Sequence, residues 1–60
     1  VPVKVDASYG AVKPGDLLVA SHTPGHAMRA FNPALGTIIG KALASCPSGR
    51  RTIMLLGMND

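Results

Sequence analysis

Sixty residues make one small domain at most, and six Lys and Arg against three Asp leave a formal charge of +3. With 47% apolar residues and a mean hydropathy of +0.27, the composition excludes a disordered chain, which would be poor in apolar residues and rich in net charge. The longest apolar runs, residues 17–20 and 53–56, fall far short of the ~20 residues of a membrane-spanning helix.

A chain of this size hides only about 60% of the surface its unfolded form exposes. Such chains commonly add disulfides, a metal or partner subunits. One cysteine permits no intrachain disulfide. Between metal and self-association, the residues favour the second. Val1-Pro2-Val3-Lys4 shows no signal-peptide apolar region and no lipidation motif.

Read by period, the chain is a string of short strands between turn signals. Val1, Val3 and Val5 alternate with Pro2, Lys4 and Asp6, which suits a half-buried strand. Pro2 has no N–H to donate, so it marks an edge or the first residue of a ladder. Ser8-Tyr9-Gly10 ends this strand. Lys13-Pro14-Gly15-Asp16 has the chemistry of a type II turn, with Pro presetting φ and Gly accepting a positive one. Residues 17–21 form a buried strand, and Thr23-Pro24-Gly25 repeats the Pro-Gly device.

Residues 27–30 make a brief strand with Met28 and Arg29 on opposite faces. Residues 31–36 read as a loop or a single helical turn near Pro33. Residues 37–43 carry the clearest strand signal, since β-branched residues cluster there. Gly40 inside it marks a bulge or a close backbone approach. A helix over 37–44 is opposed by Gly36, Gly40 and Pro47, each costing about 1 kcal/mol or more. Residues 45–49 are the last loop, and residues 51–56 close the chain as a strand. The expectation is an all-β chain: a small single-domain β-clip-like or barrel-like sheet of about five short strands over residues 1–60, with no long helix.

The segments Lys13-Pro14-Gly15-Asp16-Leu17-Leu18-Val19-Ala20-Ser21, Thr23-Pro24-Gly25-His26-Ala27-Met28 and Gly36-Thr37-Ile38-Ile39-Gly40-Lys41-Ala42-Leu43 resemble a recurrent pattern. It is that of a small β-module near the C-termini of large bacterial and phage-like surface or tail-fibre proteins. A looser resemblance is to β-clip domains of the SAF type and to phage capsid-decoration domains. Cys46, Arg50 and Arg51 depart from it, standing where such modules carry acidic or small residues. The resemblance implies assembly or presentation, an extracellular, cell-surface or virion setting, and a larger parent protein or a surface glycan as partner. It carries no catalytic residues over.

The candidate chemistry is thin. His22 and His26 are four apart, but Pro24 and Gly25 between them forbid the helix that would align them. They could meet Cys46 at a zinc ion only by flanking a turn, a poor fit to metal-ligand spacing. Two turn histidines are the plainer reading, and no metal or cofactor is expected. Cys46 lacks an oxyanion-hole signature and reads as a tolerated small loop residue, replaceable by Ser. Asp16 is expected to bond backbone N–H groups in its own turn. The six basic residues are spread over every element, and with only Tyr9 and Phe31 as aromatics a stacking surface for nucleic acid is not expected. No enzyme is expected.

Too many apolar side chains serve too small a monomer. Ile38 and Ile39, and residues 53–56, put apolar groups on both faces of a strand. One face fills the core and the other needs a neighbour, so Ile38, Ile39, Ile53, Leu55 and Leu56 are the candidate oligomer interface. Edge strands would add a second route to pairing. The expected function is a non-catalytic structural module that self-assembles into a homo-oligomer or fibre. The alternative is a monomeric β-clip-like module binding a glycan or small polar ligand through Tyr9, His22, His26 and Arg29.

Overall fold

The computed structural model describes residues 1–32 and 37–57. Five strands run in chain order as β1 (Pro2–Asp6), β2 (Leu17–Ala20), β3 (Ala27–Arg29), β4 (Ile38–Ala42) and β5 (Arg50–Gly57). All five match the expected strands to within a residue or two. The expected helical turn near Pro33 lies outside the described residues. A 3-10 turn does form at Ala7–Tyr9, where the sequence suggested only the end of a strand.

The strands close into a barrel ordered β1-β3-β2-β4-β5. Closure shortens the free edges through which a flat sheet would recruit other copies, leaving them only along the seam of β1 and β3. The longest ladder joins β1 to β5, antiparallel from Pro2↔Met54 to Asp6↔Arg50. The ring is completed by a parallel contact of β1 with β3 at Val5↔Ala27. Pro2 is the first residue of its strand, where its missing N–H is tolerated.

Both Pro-Gly turns form as expected. Gly15 and Gly25 take the positive φ (93° and 74°) that a type II turn demands of its third residue. They are closed by Asp16 N–H to Lys13 O at 3.0 Å and His26 N–H to Thr23 O at 3.2 Å.

The core is built from one face of each strand: Val5, Leu18, Ala27, Ala42, Ile53 and Leu55, with Val12 and Cys46 from the loops. Val12 and Cys46 exchange backbone hydrogen bonds, both at 2.9 Å, which draws their loops over the barrel. Gly40 is the tightest point. A Cβ there would meet the Leu56 carbonyl oxygen and lie 2.8 Å from Leu55 Cγ. Beside it, the β2–β4 register slips between Leu18 and Val19. Close approach and irregularity, both signalled by a glycine inside a strand, occur together.

Candidate functional site

Among the described residues, the outer face of β4 and β5 gathers four of the seven exposed large apolar side chains. Side chains alternate across a strand, so β5 sends Ile53 and Leu55 inward and Thr52, Met54 and Leu56 outward. On the β4 side, Gly40 and Ala42 turn inward while Ile39, Lys41 and Leu43 turn outward. Register then sets the neighbours: Lys41 lies beside Leu56, and Met54 beside Pro2 of β1. The Leu43 N–H donates to Met54 O at 3.0 Å, aligning that pair too. Leu43, Met54 and Leu56 are 54%, 51% and 52% exposed and Ile39 38%. Four large apolar side chains therefore share one surface.

This divides the residues expected at an interface. Ile39 and Leu56 are on the outer face and Ile38 is half-buried. Ile53 and Leu55 are only 4% and 7% exposed, inside the chain's own core, and so are corrected from interface to core residues. The outer face also carries Met54 and Leu43, which sequence reasoning passed over. Alternation alone could have pointed to Met54, since it shares parity with Leu56. Leu43 needed the β4–β5 register.

β3 stands across the ring from the β4–β5 pair. There Tyr9 meets His22 edge-to-face, with ring centroids 5.4 Å apart. Next to Tyr9, a Cβ on Gly10 would lie 3.0 Å from the Phe31 ring and 3.8 Å from Arg29 Cδ. The Arg29 guanidinium sits 5.0 Å from the Phe31 centroid, a cation–π distance. Arg29 also faces Asp16 at 3.6 Å. Of the four turn residues expected to face a ligand, Tyr9, His22 and Arg29 thus gather around the 3-10 turn. His26 instead turns to its own loop, its Nδ1 2.9 Å from Pro24 O. Phe31 was missed although it follows Arg29 by two residues, the spacing that puts side chains on one face of an extended chain.

Among the described residues, no group of three His, Cys, Asp or Glu is placed to hold a metal ion. Cys46 is fully buried, with Sγ 3.5 Å from Ser48 O and 3.8 Å from Gly49 O. It is a core residue, which corrects its reading as a tolerated loop position. A buried thiol of this kind behaves as a small hydrophobe.

The buried charge belongs to Asp6, at the end of β1. Its Oδ1 accepts Ser8 N–H at 2.9 Å, capping the 3-10 turn. Its Oδ2 accepts the Thr23 hydroxyl at 2.7 Å and Arg50 Nε–H at 3.3 Å. Hydrogen bonds from Ser8, then from Thr23, hold the Asp6 carboxyl well below the usual carboxylate range. The Arg50 charge adds to this, and desolvation opposes it. Asp16 accepts Lys13 N–H at 2.8 Å within its turn, as expected.

No family model, no curated protein and no solved structure matches this chain.

Proposed function

We propose that the chain is a non-catalytic structural module that associates with copies of itself through the outer face of β4 and β5. The observation that carries this is the adjacency of Leu43, Met54 and Leu56, each about half exposed, with Ile39 on the same face. A contiguous apolar surface of that kind marks an interaction site more often than a bare exterior. A standard interface covers about 800 Å² per partner, roughly a fifth of this chain's 3823 Å². It would spread from β4 and β5 onto Pro2 and Lys4 of β1 and Leu17 of β2, the strands that flank them. Isologous contact gives a closed dimer and head-to-tail contact a fibre. Light scattering after size exclusion, with negative-stain microscopy, tests it. Native chain should run as a defined oligomer or filament, and a folded monomer at all concentrations would refute the proposal.

A second reading has one specific observation in its favour. Tyr9, His22, Arg29 and Phe31 lie together on the far side of the barrel, and all four are exposed. Stacking planes beside hydrogen-bonding groups suit a glycan or a small polar ligand. Chemical-shift mapping against a glycan panel would test it, with shifts confined to residues 9–10, 22 and 29–31 as the supporting outcome.

A further inference from the structure

Lys41 stands inside the apolar face, not at its border. It lies between Ile39 and Leu43 along the outer side of β4, beside Leu56 on one flank and Leu17 on the other. Lys4 occupies the same face two residues from Pro2, paired with Thr52. Neither lysine takes part in the ion pairs of the described residues, which are Arg29–Asp16 and Arg50–Asp6. Nor does the face offer a described carboxylate. Asp6 is buried among Ser8, Thr23 and Arg50, and Asp16 is engaged by the Lys13 backbone and by Arg29.

From this charge, which the described residues leave uncompensated, we infer that self-association is gated by ionic strength, weak in dilute salt and strengthened as anions accumulate. The inference rests on the association proposed above. Two such faces packed together stand about 10 Å apart. Lys41 is near the middle of the face, so in the isologous contact its ammonium meets the other copy's within about one Debye length at 0.1 M salt. Each lysine can carry its charge outward on its four-carbon stem, but both copies do so into the same gap. Mobile anions screen that repulsion, while the contact of Leu43, Met54 and Leu56 is left intact.

The test is sedimentation equilibrium of the native chain, Lys41→Met and Arg51→Met. Arg51 has the parity of Ile53 and Leu55 on β5, opposite to the outer face, so its loss changes net charge equally without touching that face. From about 20 to about 300 mM NaCl, the native dissociation constant should fall about fivefold or more. Arg51→Met should keep that dependence. Lys41→Met should associate more tightly at low salt and respond about twofold or less; Lys41→Gln should do the same if Met perturbs folding. Equal salt dependence in native and Lys41→Met, or association weakened by salt, overturns the inference and leaves self-association standing. No association by any of the chains at either salt overturns both.

Discussion

Thr23 and Asp6 belong to different ends of the β1–β2–β3 segment, yet the Thr23 hydroxyl donates to Asp6 Oδ2 at 2.7 Å. Through Asp6, the β2–β3 turn, the 3-10 turn and the start of β5 share one carboxylate. Local turns and a long-range strand pairing are thereby fixed by a single side chain.

Asp6→Ala removes three hydrogen bonds, two of them holding turns, and leaves the half-buried Thr23 hydroxyl without its acceptor. The melting temperature should fall by roughly 10 °C or more. Thermal unfolding followed by circular dichroism measures it, and a change of a degree or two would refute the role given to Asp6.

The same carboxylate makes the fold acid-sensitive. Its folded-state pKa is depressed, so the unfolded chain takes up the proton first as pH drops. The stability it supplies is complete above the ordinary aspartate range near pH 4 and is lost progressively as pH falls below that toward the folded value. Urea titrations between about pH 6 and pH 2 should show this decline. In Asp6→Asn the curve should start lower and lie flatter.

Leu55 and Leu56 are neighbours in sequence and opposites in environment. Leu55→Asp puts an unpaired charge in the core, at a cost of several kcal/mol, and should unfold the chain. Leu56→Asp should leave a folded chain that runs as a monomer. Circular dichroism and light scattering on the two variants decide the matter; a Leu56→Asp chain that still assembles would count against the β4–β5 face.

Gly40→Ala drives a methyl group into the Leu55 side chain and the Leu56 carbonyl. Overpacking of this kind costs about 1–3 kcal/mol, and here one obstacle is backbone, which yields least. Chemical denaturation should place the loss at the upper end of that range. Gly15→Ala provides the contrast, because nothing lies near its Cβ position and only its positive φ is strained.

Cys46→Ser should destabilise by about 1–2 kcal/mol, since a hydroxyl replaces a buried thiol among apolar neighbours. The Ser48 and Gly49 carbonyls near Sγ keep the loss from being larger. Reaction with a thiol reagent should be slow in the native chain and fast in urea, because burial and not oxidation protects the sulfur.

The strands and both Pro-Gly turns were legible in the sequence because their signals are local. Val3 and Val5 alternate with polar residues, β-branched residues crowd β4, and Pro-Gly presets its own turn geometry. Pairing was not legible. β5 shares its first half with β1 and its last residues with β4, a division that no feature of residues 50–57 announces. Asp6 was hidden by the very alternation that revealed β1. Period two turns it toward solvent, but the strand gives way there to the 3-10 turn, and Val5 and Asp6 are buried in succession. The outward-facing residues were half legible for a related reason: parity separates Leu55 from Leu56, while only the finished barrel says which one faces out.

The ladder between β1 and β5 joins the two ends of the described chain. A ribosome delivers β1 before β5, so until residues 50–57 emerge Val3 and Val5 have no antiparallel partner. A growing chain that has not yet exposed residues 50–57 holds four strands and a single parallel contact, Val5↔Ala27, for the first of them. Contacts of such long sequence separation form late and slowly. Closure of the barrel therefore waits on residues 50–57, and until they pair, Val3 and Val5 stay open to chaperones.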